Sequence, residues 1–264
     1  MGDLLVRLFW ILVGTLLLPL VWAERAVHAI GRPRRQPATP GSGRIVILPG
    51  IEGGGWPLRG MVKGLLDAGI RADITVEPWA SRSWWMLGRL MNLDANRQLA
   101  ERLAAKLADL RHRYPDEPIT LIGLSGGAGL AVLVAEALPA DVQLDRMVLI
   151  GAAISPRRDL AAALKRCRNG LLNFYSQADW LFLGLGTLIF GTIDRCHTFS
   201  AGLTGWRGAG DEAARGAVHQ IPWKPAWLAV GHHGGHLGWL SRGWARSVLA
   251  RELTRPAPNQ PSSV

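Results

Sequence analysis

Residues 119–124 read ITLIGL, residues 126–138 read GGAGLAVLVAEAL, and Ser125 stands between them. No other stretch narrows the fold as much. Near-continuous apolar strands suit burial on both faces of a sheet. The run after the serine is apolar over most of its surface at helical length, so it is a helix covered on more than one side. A strand and a helix of this kind belong inside a layered α/β structure.

The rest of the chain alternates in the same way. RIVILPG is a short apolar strand, and WPLRGMVKGLLDAG is helical in period and stops at Gly69. RADITVEPW, DRMVLIGAA and GLLNFYS read as further strands, and SRGWARSVLARELTR as a last amphipathic helix. NLDANRQLAERLAAKLADLRHRY predicts a long helix capped by Asn92 or Asp94 and ending before Pro115, with Leu99, Leu103, Leu107 and Leu110 on one face. Strands alternating with helices predict a mainly parallel sheet with helices on both faces. A chain of 264 residues suits one large domain or two small ones. The expected division is 1–24 a membrane anchor or signal segment, 25–43 a basic Pro/Gly-rich linker, 44–255 the α/β domain and 256–264 a disordered tail.

The segment Leu4–Ala23 carries Arg7 as its only charge. As a helix it would span about 30 Å, near the thickness of a hydrocarbon core. Val21-Trp22-Ala23 fits a signal-peptide cleavage site, which would export the protein. Arg25, Arg32, Arg34 and Arg35 follow the segment while only Arg7 and the amino terminus precede it. Positive charge stays inside, so the preferred reading is a single-pass anchor touching membrane lipid, with the domain in the cytoplasm. The net charge of +10 suits nucleic acid, anionic lipid or acidic substrates. No zinc-finger spacing, basic helix or aromatic-basic RNA motif is present, so no nucleic-acid partner is expected. Cys167 and Cys196 make neither a CxxC pair nor a disulfide framework and read as free thiols.

Gly123-Leu124-Ser125-Gly126-Gly127 fits G-x-S-x-G, in which small residues clear space around a serine on a strained strand-to-helix turn. A dinucleotide loop would need G-x-G-x-x-G, and Gly123, Ser125 and Ala128 match it poorly, although Asp145 lies about twenty residues on, as a ribose-binding acid would. A nucleophilic serine needs an orienting acid, a base and an oxyanion site. NFYSQADWL places Asp179 just past the fifth strand, as the acid or as a helix cap. VGHHGGHLGW supplies His232, His233 and His236. His236 is the first choice of base because it leads directly into the terminal helix; His233 is second and His232 third. No carboxylate is spaced to complete a metal site with them, so neither metal nor cofactor is expected. The oxyanion donors would be the N–H groups of Gly126, after the serine, and of Ile51, in the LPGIEGGG loop after the first strand. Glu52 either lines that site or lies on the surface.

IVILPGIEGG, LIGLSGG, NFYSQADWL and GGHLGW, in that order, resemble the α/β-hydrolase family over about residues 44–255. The resemblance implies a Ser-His-Asp triad of Ser125, His236 and Asp179, with hydrolysis of esters, thioesters or amides without a metal. The chain departs from the family pattern at Pro49, where His-Gly often opens the oxyanion loop, and no strands are evident before RIVILPG, so a minimal version of the fold is expected. The resulting expectation is a membrane-associated serine hydrolase acting on small-molecule or lipid-like esters or acyl thioesters. An acyltransferase using the same triad is one alternative. A non-catalytic membrane-tethered binding protein is another, and it requires the Ser125 hydroxyl to lie beyond about 5 Å from every histidine ring. The insertion LFLGLGTLIFGTIDRCHTFSAGLTGWRG is a candidate cap over the site. Trp79, Trp84 and Trp85 are candidates for an acyl-pocket wall, a lipid contact or ordinary core.

Overall fold

The computed structural model describes residues 41–51, 58–79, 92–208 and 216–255. The expected anchor and most of the linker, the tail, Glu52, Trp84 and Trp85 lie outside the described residues. Among the described residues, no helix is long and apolar enough to cross a membrane.

Six strands form one sheet: β1 (Arg44–Leu48), β2 (Asp73–Val76), β3 (Ile119–Leu124), β4 (Arg146–Ile150), β5 (Leu171–Tyr175) and β6 (Val218–Pro222). The order is β2-β1-β3-β4-β5-β6, and every pairing is parallel. Alternate side chains serve two cores, as the two-residue period of a strand requires. Val46, Leu48, Leu121, Met147 and Leu149 face α2 (Leu93–Arg113) and α3 (Gly126–Ala137). Ile45, Ile47, Ile122, Leu124, Val148, Ile150 and Phe174 face α1 (Leu58–Asp67) and the terminal helix over residues 242–254. This is the mainly parallel α/β sheet with helices on both faces that the apolar runs predict. Within the sheet the chain runs from β1 out to β2 and returns past β1 to β3. Such a reversal leaves a crevice beyond the C-terminal ends of β1 and β3, where α/β sheets bind ligands.

Local chemistry explains the element ends. Asn92 caps α2, accepting from the Ala95 N–H at 3.0 Å. The buried face of α2 centres on Ala100, Leu103, Ala104 and Leu107, while Leu99 and Leu110 are only partly buried. The predicted leucine stripe is thus rotated, because alanines bring α2 close to α3. β6 is absent from the sequence-based reading. Its pattern is not alternating, His219 and Gln220 are exposed, and Pro222 ends it, as suits an edge strand. Asp145 accepts from Arg111 at 2.7 Å and from the Ile119 N–H at 2.8 Å, just before β4 starts. It therefore ties the N-terminal ends of β3 and β4 to α2 and is not available to a ribose. Both cysteines are free, and burial pushes the Cys167 thiol up to about 12.

α1 meets the terminal helix and the turn before it through two glycines one turn apart. A Cβ on Gly64 would lie 2.8 Å from the Ala245 Cβ and closer still to the Arg242 carbonyl oxygen, and one on Gly60 would lie 2.8 Å from the Leu240 carbonyl oxygen. Gly64→Ala should therefore cost about 1–3 kcal/mol, as overpacking does, read as a lower urea midpoint at unchanged slope.

Candidate active site

Ser125 joins β3 to α3 at φ 55°, ψ −120°, a left-handed conformation that side chains other than glycine rarely adopt. Its neighbours hold it there. The Ser125 N–H donates to Ile150 at 2.9 Å, and its carbonyl accepts from Ala128 at 3.0 Å and Ala153 at 3.1 Å. Gly123 and Gly127 are the clearance this turn needs. A Cβ on Gly123 would lie within 2.5 Å of the Gly127 carbonyl oxygen, and one on Gly127 would overlap the carbonyls of Leu48 and Pro49. Gly129 answers to a different constraint, since a Cβ there would collide with Ile193. At Gly129 it is the loop after residue 190, and not a strand, that leaves no room for a side chain.

Asp179 follows β5 and His236 follows β6, so both come to the same sheet edge as Ser125. His236 Nδ1 lies 2.6 Å from Asp179 Oδ2, and His236 Nε2 lies 3.0 Å from Ser125 Oγ. An ionised carboxylate only accepts, so Nδ1 carries the proton toward Asp179 and Nε2 accepts from the serine hydroxyl. The Asp179 side chain is about 1% exposed, against 15% for His236. Burial is the main influence on the Asp179 carboxyl and pushes its pKa above the ordinary carboxylate range; His236 and the Trp239 indole pull the other way. Asp179 Oδ1 and Trp239 Nε1 are both sealed from solvent without a well-formed hydrogen bond, so the indole only partly relieves the burial.

The other two histidines are placed differently. His232 is fully buried, with its ring 4.2 Å from Trp239 and 5.4 Å from Trp244, both edge-on, and its Nδ1 accepts from the Gly234 N–H at 3.1 Å. A Cβ on Gly238 would strike that ring, so the glycine exists to admit it. His233 is buried beside His232, with ring centroids 6.4 Å apart. The hydrogen bonds to Ser125 and Asp179 are those of His236. Among the described residues no group of histidine, cysteine, aspartate or glutamate is arranged to hold a metal ion.

Ile51 and Gly126 line the same cavity as Ser125. Gly126 opens α3, so its N–H is one of four without an acceptor inside the helix, and the helix dipole favours negative charge there. Trp79 fixes the loop that carries Ile51. It is buried in the core, and its indole N–H donates to the Pro49 carbonyl at 2.6 Å. Pro49 also closes over Gly127. So Trp79, a candidate for pocket wall, lipid contact or core, is a core residue that clamps the loop from below. Trp79→Phe leaves a buried carbonyl without its donor, at a cost of about 1–3 kcal/mol. We expect kcat to fall with KM little changed, as loss of an oxyanion donor's alignment would give.

The cavity above Ser125 has a volume of about 330 Å³. Its roof is the helix over residues 181–190, a π-helical stretch Leu181–Gly186 running into Thr187–Phe190. Leu181, Phe182, Leu185, Ile189 and Phe190 line it, and among the described residues Ser125 and Thr187 are its hydroxyls. Of the expected cap, residues 181–208, it is the helix over residues 181–190 that covers the site. Phe182 also stacks on the His236 ring at 4.9 Å and 24°. That contact was not legible beforehand. The available signal was spacing, since Phe182 stands three residues after Asp179 on a helix and so lies over the same site.

No family model matches the sequence, and no curated protein sequence does. Similar solved structures include the RedJ thioesterase of the prodiginine pathway of Streptomyces coelicolor, at 17% identity and TM-score 0.46, covering 85% of this chain and 89% of that one. A Trichoderma reesei cutinase in complex with a phosphonate inhibitor is similar at 12% identity and TM-score 0.36, covering 93% and 95%. The NocB thioesterase domain, in covalent complex with a fluorophosphonate nocardicin G analogue, is similar at 16% identity and TM-score 0.39, covering 83% and 96%.

Proposed function

We propose that this α/β-hydrolase-fold chain is a serine hydrolase that cleaves carboxylic esters or acyl thioesters with apolar acyl groups. The observation that carries the reading is one imidazole bridging Ser125 Oγ at 3.0 Å and Asp179 at 2.6 Å, on the floor of an apolar cavity. Ser125 Oγ attacks the carbonyl carbon while His236 Nε2 takes its proton. Asp179 holds the Nδ1–H and stabilises the imidazolium. The Ile51 and Gly126 N–H groups receive the oxyanion. His236 then protonates the departing alkoxide or thiolate, and water attacks the acyl-serine by the same steps. An acyl chain lies against Leu181, Phe182, Leu185, Ile189 and Phe190, the apolar side chains that line the cavity. The geometry required by a non-catalytic reading, a serine hydroxyl beyond about 5 Å from every histidine ring, is not met at 3.0 Å.

We place the enzyme at a membrane through the Leu4–Ala23 segment, with the domain on the cytoplasmic side. Intact mass of the protein recovered from membranes separates an anchor from a cleaved signal. For the chemistry, a p-nitrophenyl ester with a medium acyl chain should give a burst of one nitrophenol per active enzyme before the steady state. A linear time course with no acyl adduct on Ser125 after rapid acid quench would count against an acyl-enzyme. Adding an alcohol acceptor tests the transferase alternative, which predicts a new ester in place of free acid.

A further inference from the structure

The large hydrophobic side chains left exposed on the described residues are unevenly placed. Leu181, Phe182, Leu185, Leu188, Ile189 and Phe190 stand between 36% and 56% exposed on one ten-residue helix, and Phe199 at 51% follows on the same strap. The one other is Leu228. A patch this concentrated marks an interaction site rather than scattered surface apolarity. We propose that this face docks onto an anionic lipid surface and draws its ester substrate from it, a proposal that rests on the hydrolase reading and names its substrate source.

Three observations select a lipid surface as the occupant. First, the patch is the rim of the cavity. Leu181, Phe182, Leu185, Ile189 and Phe190 both face outward and line the space above Ser125. A second protein copy seated there would cover the mouth of the site, whereas a bilayer brings an apolar acyl chain to it. Second, the charge is complementary. The chain carries +10, and the strap's internal acid, Asp194, is occupied by the Thr192 hydroxyl at 2.6 Å and the Ser155 N–H at 3.0 Å. A cationic protein with an apolar face binds the interface of anionic membranes. Third, the chain outside the described residues suits the geometry. Leu4–Ala23 is apolar, and residues 25–43 between it and β1 reach roughly 60 Å when extended. That length lets the C-terminal edge of the sheet turn toward the surface in which the segment is held.

The test uses the full chain in nanodiscs of phosphatidylcholine with phosphatidylglycerol. Leu188 and Phe199 are exposed but do not line the cavity, so the variant Leu188→Ser with Phe199→Ser removes patch area and leaves the site alone. Two rates are compared, on a soluble acetyl ester and on a long-chain fluorogenic ester carried in the nanodisc. The double variant should keep the soluble rate within about twofold and lose about tenfold or more on the bilayer ester. An equal loss on both esters, or no loss on either, overturns the proposal. Hydrogen exchange over residues 181–199 gives a second readout that needs no turnover: slower exchange in the nanodisc than in amphipol is expected, and equal exchange overturns docking. A wild-type dimer that the double variant dissociates would assign the face to a second copy instead. If neither ester is cleaved but the exchange protection holds, the hydrolase reading fails and the docking stands.

Discussion

Ser125→Ala should lower kcat by about six orders of magnitude, to a residue of activity supplied by the oxyanion donors and substrate binding. His236→Ala should cost about the same, and the two together little more, because the groups act as one unit. Removing the serine takes away the hydroxyl that His236 Nε2 reaches at 3.0 Å. Removing the histidine leaves an alcohol with no base. The Ser125 change should have a second signature. The residue sits at φ 55°, and alanine bears the same strain without the hydroxyl, so stability should change by less than about 1 kcal/mol. A large loss of activity with a small change in unfolding midpoint separates chemistry from folding. Parallel losses of both would assign Ser125 a structural role. His233→Ala and His232→Ala should differ from His236→Ala in kind, since both rings are buried away from the serine's hydrogen bonds. Their main effect should be on stability.

Asp179→Asn should lower kcat by about four orders of magnitude, because an amide presents the wrong partner to Nδ1–H and disturbs the tautomer His236 needs. The same substitution should stabilise the fold at neutral pH. Burial raises the Asp179 pKa above its unfolded value. The native state therefore holds this proton over a pH range in which the unfolded chain has released it. Stability then falls as pH rises from the ordinary carboxylate pKa, about 4, up to the raised native one, and stays reduced above it. Asparagine cannot ionise and escapes that loss. Urea unfolding should give the variant no advantage at pH 3.5 and a clear one at pH 7. Wild type being the more stable at pH 7 would mean that the His236 interaction outweighs the burial. The activity of the wild type should decline on the acid side as Asp179 takes up its proton.

Much of this molecule is legible in its sequence, and the illegible parts have physical reasons. β1, β3, β4 and β5 are central and buried, so hydrophobic runs announce them. β6 is an edge strand with two adjacent exposed polar residues, so neither a run nor an alternation marks it. The elbow at Ser125 is readable because sterics at Gly123 and Gly127 tolerate no side chain. Asp179 and His236 are readable because chain order and sheet edge place them together. What separates His236 from its two neighbours is not in the residue types. His232 is taken by an aromatic nest of Trp227, Trp239 and Trp244, assembled from the segments on either side of it and the terminal helix. Trp79 likewise gives no sign that its N–H reaches Pro49, thirty residues earlier in the chain. The patch on residues 181–190 was partly legible as an aromatic-rich insertion, but its exposure depends on how a π-helix turns its side chains, which composition does not encode.

The most direct test of the account is to treat the protein with a fluorophosphonate and locate the adduct by peptide mass spectrometry. An activated serine beside a neutral imidazole reacts where an ordinary surface serine does not. Wild type should gain one adduct, on the peptide containing Ser125, and Ser125→Ala should gain none, with His236→Ala labelling far more slowly. Equal labelling of wild type and Ser125→Ala, or no labelling of wild type that remains folded, would contradict the assignment of Ser125 as nucleophile.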